Sequence, residues 1–109
     1  MKKLFLTLGW ISITFANPEL SQIISGNVSL LETPQLLEIT ASDRSIIEWN
    51  SFSIGTDEMV SFLQPSSASI VLNRVVGQDM SELLGTLKAN GNLYLINPRG
   101  ILVGENGLI

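Results

Sequence analysis

The chain has 109 residues, 45% of them apolar, with six basic and ten acidic residues and a formal net charge of −4. That length fits one domain, and an acidic balance argues against nucleic acid or anionic lipid as partners, since both need a basic face. Histidine and cysteine are absent, which excludes Ser-His-Asp catalysis, histidine-ligated metal sites and disulfide stapling.

Residues 1–16 open with Lys2 and Lys3, continue through the apolar run Leu4 to Phe15, and end on Ala16. This is the layout of a secretory signal peptide. A membrane-spanning helix needs roughly 20 predominantly apolar residues, and this run is shorter and interrupted by Ser and Thr, so no stable membrane insertion is expected. Cleavage would leave Arg44, Arg74, Lys88 and Arg99 against all ten acidic residues in a domain over residues 17–109. The lack of cysteine suits a chain that stays unfolded in an oxidising compartment before threading a pore. It equally matches the general scarcity of cysteine in bacterial envelope proteins.

Between Asn17 and Asp43, short apolar patches alternate with the breaks Ser25-Gly26-Asn27 and Thr33-Pro34, which predicts two or three short strands with Pro34 at a boundary or an edge. From Ser45 to Ile54, the positions Ile47, Trp49, Phe52 and Ile54 suggest an inward face with a register shift near Asn50. Val60-Ser61-Phe62 and Ile70 to Val76 follow as β-branched and aromatic runs between turn residues. Asp79 to Gly85 resembles a single helical turn, with Asp79 and Glu82 in capping-box spacing and Met80, Leu83 and Leu84 on one helical face. Ala89-Asn90-Gly91-Asn92 is either a hairpin turn, which its turn chemistry slightly favours, or a corner between successive walls of a solenoid. Asn97-Pro98-Arg99-Gly100 carries the residue preferences of a type I turn.

Ile70-Val71-Leu72, Leu93 to Ile96 and Ile101-Leu102-Val103 are nearly continuous apolar runs, the pattern of strands covered on both faces in parallel sheets. Parallel neighbours ordinarily need long crossovers, and the gaps here are short. A parallel β-helix removes the conflict, because each strand then pairs with the one a full coil later and the short gaps become corners.

The blocks Trp49-Asn-Ser-Phe-Ser-Ile-Gly55, Val60 to Pro65, Leu72-Asn-Arg-Val-Val-Gly77, Leu84-Gly-Thr-Leu87 and Asn90 to Gly104 resemble, in order and spacing, the two-partner secretion domain of filamentous haemagglutinin-like exoproteins. The resemblance is strong after Ser45 and weak before it. It implies an all-β fold, a right-handed, single-stranded, pectin-lyase-like parallel β-helix with N-terminal cap strands. It also implies export through the general secretory machinery of a Gram-negative-type bacterium and recognition in the periplasm by an outer-membrane β-barrel transporter with periplasmic recognition domains. The exoproteins of this family are adhesins, haemagglutinins, cytolysins or contact-dependent toxins, secreted or held at the cell surface, whose activities lie downstream of this domain. The family's Asn-Pro-Asn-Gly turn is Asn97-Pro98-Arg99-Gly100 here, with its exposed tip altered. The chain stops at Ile109, where the family's domain continues, so a truncated product or a fragment is expected.

Asn73, Arg74, Asn90, Gly91, Asn97, Pro98, Arg99 and Gly100 are the candidate recognition or turn residues. Turn preferences alone already account for Asn97, Pro98 and Gly100. Asn73 fits a stacked β-helix corner as well as a recognition patch, and Arg74 fits a solvated surface. Trp49, Phe52 and Phe62 read as core rather than as a sugar-stacking row. Asp57 and Glu58 are adjacent in a loop, whereas a glycosidase needs two carboxyl groups facing across a cleft. No catalytic residue, metal or cofactor is expected. The competing readings are a β-helical polysaccharide lyase or glycosidase, and a free-standing envelope β-protein.

Overall fold

The computed structural model describes residues 18–105 and 107; the expected signal peptide lies outside them. Ten strands occur among the described residues: β1 (Glu19–Ser25), β2 (Val28–Glu32), β3 (Leu36–Ala41), β4 (Ser45–Ser51), β5 (Met59–Leu63), β6 (Ile70–Val75), β7 (Ser81–Leu83), β8 (Thr86–Ala89), β9 (Asn92–Ile96) and β10 (Ile101–Val103). Neighbours in sequence do not pair beyond the N-terminal region. β3, β5 and β8 form one parallel wall, β4, β6 and β9 a second, and β7 and β10 a third, which Ile54 extends through a parallel bridge to Leu83. The chain therefore winds as a three-walled parallel β-helix. β1 and β2 lie antiparallel on β4 and β3, as a cap at the start of the first coil.

Inward positions recur coil after coil. Leu37 pairs with Val60 and Val60 with Leu87; Ser45 pairs with Val71 and Val71 with Leu93. Trp49, Phe52 and Phe62 are at most 2% exposed, and the Trp49 and Phe52 rings meet edge to face at 5.3 Å. Burying one such ring removes roughly 150–250 Å² from water, worth on the order of 4–6 kcal/mol at about 25 cal/mol per Å². These aromatics fill the centre of the first coils, as their alternation predicts.

Two expectations are corrected. Asp79 to Gly85 contains strand β7 and no helical turn. Pairing along the wall outcompetes so short a helix, whose nucleation is unfavourable: the Ser81 N–H donates to Gly100 O and the Leu84 N–H to Ile54 O, while Glu82 O accepts from the Ile54 N–H. Ala89-Asn90-Gly91-Asn92 is a corner, since β8 and β9 belong to different walls. The register shift expected near Asn50 is present: Glu19 and Leu20 of β1 face Ser51 and Trp49, which leaves Asn50 as the extra residue of a bulge, and the inward positions pass from odd to even numbers toward Phe52 and Ile54.

The continuous apolar runs are not covered on both faces along their whole length. Val71 is fully buried, while Tyr94 and Ile96 are 55% and 47% exposed and all of β10 is exposed. The outer face is open at β9 and covered at Glu48 of β4, beneath Gln22 and Arg74.

Candidate recognition surface

The eight candidate residues occupy different parts of the coil rather than one patch. Asn73 is on β6 and points inward, 1% exposed. Its Oδ1 accepts the Trp49 indole N–H at 2.9 Å, and its Nδ2 donates to the Tyr94 carbonyl at 3.3 Å. One side chain thus ties β4, β6 and β9 together inside the core, where an unpaired amide is disfavoured. Arg74, the next residue, alternates outward and pairs with Glu48 on the neighbouring strand. The Glu48 carboxylate also accepts a hydrogen bond from Gln22 of the cap at 2.9 Å. The Gln22 hydrogen bond and then the Arg74 contact hold the Glu48 carboxyl below its ordinary value, against the opposing pull of desolvation.

Asn90 and Gly91 form the corner between β8 and β9. Asn90 Oδ1 accepts the Gln64 backbone N–H at 2.7 Å and its Nδ2 donates to the Gln64 carbonyl at 2.8 Å, mimicking a backbone pair across one coil. The Gly91 N–H donates to Gln64 Oε1 at 3.1 Å, and Gln64 Nε2 donates to the Asn92 carbonyl at 3.2 Å. Gln64, which the sequence reading did not single out, is therefore the hub of this corner and only 6% exposed.

Asn97 to Gly100 make the corner between β9 and β10. The Gly100 N–H donates to the Asn97 carbonyl at 3.0 Å and the Arg99 N–H to Asn97 Oδ1 at 2.9 Å, closing the expected turn. Asn97 Nδ2 reaches back to Asp79 O at 3.0 Å and Ser81 Oγ at 2.9 Å in the preceding coil. Gly100 has a φ of 110°, a conformation glycine adopts without penalty. Pro98 and Arg99 project from the tip, with the Arg99 guanidinium on Gln78 Oε1 at 2.5 Å. Of the eight, only Arg74, Asn90, Pro98 and Arg99 are exposed.

Two further surfaces went unnoticed in the sequence. All seven residues of β1 are exposed, and among the described residues β1 and β2 end their sheets with one edge unpaired. On the outer face of the second wall, Ile46, Leu72 and Tyr94 stand in register. The signal for that row was present in the continuous apolar runs, which inner-face packing alone does not require. Among the described residues, no group of three His, Cys, Asp or Glu side chains is placed to hold a metal, and no helix is long and apolar enough to cross a membrane.

Comparison with known proteins agrees with this architecture. A model of the TPS secretion domain family matches residues 33–109. Two heme/hemopexin-binding proteins of Haemophilus influenzae are 34% and 35% identical over 94 residues, covering 84% of this chain and 10% of each relative. The crystal structure of the HMW1 secretion domain from Haemophilus influenzae superposes with a TM-score of 0.78 at 36% identity, covering 81% of this chain and 24% of that one. The chain thus spans about a tenth of the curated relatives it matches. The family supplies the secretion domain of exoproteins that are secreted or surface-exposed in Gram-negative bacteria, its members engage a cognate outer-membrane transporter, and it is not a family of enzymes. Sequence and winding agree along the same coils, and this chain belongs to the TPS secretion domain family, as part of a two-partner secreted exoprotein.

Proposed function

We propose that residues 1–16 are a signal peptide that sends the chain through the general secretory machinery to the periplasm. There the domain is taken up by its cognate β-barrel transporter through that partner's periplasmic recognition domains, and a larger haemagglutinin- or adhesin-like polypeptide follows. The observation that carries this reading is the family match over residues 33–109, which spans all three coils. Docking proceeds by strand addition, in which a sheet edge contributes backbone hydrogen bonds and alternate side chains give selectivity. The edges of β1 and β2, open among the described residues, support that mode.

The test is secretion of a passenger fused behind the domain, in cells expressing the cognate transporter. Deleting Asn90 to Gly100 is expected to abolish release into the medium; unchanged release would refute the proposal. Two point variants separate the corner from its tip. Asn97→Ala removes bonds to Asp79, Ser81 and Arg99 and is expected to lower stability by about 1–2 kcal/mol. Arg99→Ala, at an exposed position, is expected to leave stability within about 0.5 kcal/mol, so a secretion defect there would mark the tip as a direct contact.

A further inference from the structure

Asn90-Gly91 is the dipeptide most prone to intramolecular deamidation, because glycine puts no side chain in the way of its own backbone nitrogen. We infer that this pair is a folding-gated deamidation site, closed when the third coil stacks on the second and open whenever it does not. In the reaction the Gly91 nitrogen attacks Asn90 Cγ and the new C–N bond closes a succinimide. The Cγ–Nδ2 bond breaks, and the proton from Gly91 leaves with Nδ2 as ammonia. One water then opens the ring, giving aspartate or isoaspartate.

In the folded coil every reacting group is occupied. The Gly91 N–H that must be deprotonated donates to Gln64 Oε1, the Asn90 Nδ2 that must leave donates to Gln64 O, and the Asn90 Oδ1 accepts from the Gln64 N–H. Attack requires the side chain to swing away from Gln64 and thus requires the corner to open. The simplest protection, a side chain at residue 91, would disturb the same shield. A Cβ on residue 91 would lie 2.6 Å from Gln64 Nε2 and 2.8 Å from its Cδ, so the Gln64 amide that shields the bond would have to shift to admit one.

The products are unsuited to this corner. Aspartate lacks the Nδ2 donor and sets a carboxylate oxygen against the Gln64 carbonyl. Isoaspartate lengthens the backbone at the entry to β9, whose register on β6 aligns Leu93 with Val71. A chain that waits unfolded before folding therefore accumulates copies unable to close the third coil. The chemistry involves no transporter, so its failure would leave the proposed export role untouched.

The experiment incubates the full 109-residue chain at mildly alkaline pH, in buffer and in concentrated urea, and follows the amide-to-acid mass change over time. Trypsin places Asn90 in the peptide Ala89 to Arg99, apart from the other Asn-Gly pair at residues 106–107. Deamidation of Asn90 is expected to be at least ~10-fold slower in buffer, the protection given by an opening free energy of ~1.4 kcal/mol. Gln64→Ala is expected to raise the rate in buffer toward that in urea. Equal rates for the unaltered chain in buffer and urea overturn the inference, and a Gln64→Ala chain as slow as the unaltered one overturns the role given to Gln64.

Discussion

The indole N–H of Trp49 donates to Oδ1 of Asn73 at 2.9 Å, with both side chains at most 1% exposed and one coil apart. Each residue makes sense through the other: the largest ring in the core brings a polar N–H that needs an acceptor, and the asparagine brings an acceptor that needs a donor.

Breaking this pair from the asparagine side is expected to destabilise strongly. Asn73→Leu leaves the indole N–H buried without a partner, a loss of about 1–3 kcal/mol. Trp49→Phe in the Asn73→Leu background removes the stranded donor, so the double variant should lose less than the sum of the two singles. Urea midpoints of the four chains check this; simple additivity would show that the two residues are not coupled.

Glu48 sets an acid-side dependence of stability. Its folded carboxyl is held below the ordinary value by Gln22 and Arg74, so the unfolded chain takes up a proton at higher pH than the folded one. The contribution is therefore complete above the ordinary carboxylate value and disappears as pH falls through the lowered folded value. Glu48→Gln should flatten this part of the urea-midpoint profile between neutral and acidic pH while Arg74 remains in place. A profile identical to that of the unaltered chain would contradict the assignment.

Two glycines are expected to resist alanine for different reasons. At Gly77 a Cβ would lie 1.9 Å from the Asn50 carbonyl oxygen, a backbone clash between coils that costs about 1–3 kcal/mol or more as the strands separate. At Gly100 the nearest atom to a Cβ is Met80 Cε at 3.9 Å, and the penalty comes from the φ of 110°, about 1–3 kcal/mol of backbone strain. Gly100→Asn should recover part of the loss at residue 100, because asparagine tolerates positive φ better than alanine, whereas Gly77→Asn should recover none. Thermal or urea unfolding of the four variants distinguishes steric from conformational origin.

The family resemblance, the corner residues and the inward aromatics were legible before any coordinates, because turn chemistry and period-two burial act over a few residues. Asn97-Pro98-Arg99-Gly100 forms the turn its composition prescribes, and Trp49, Phe52 and Phe62 are core. Asp79 to Gly85 misled for the same reason: its capping-box spacing is a local signal, and the backbone partners that overrule it, Ile54 and Gly100, are distant in sequence. Gln64 was overlooked because a single glutamine before a proline carries no pattern; its role exists only once Asn90, 26 residues away, is stacked upon it.

By itself the sequence determined, outside Asp79 to Gly85, which segments extend, where they bend and which aromatic side chains avoid water. The tertiary structure alone decided which strands are neighbours, and so whether Asn90-Gly91 closes a hairpin or a corner and whether Asn73 is surface or core. The physical reason is that parallel pairing joins residues a full coil apart, and the hydrogen bonds that select one partner over another form only when both strands are already in place.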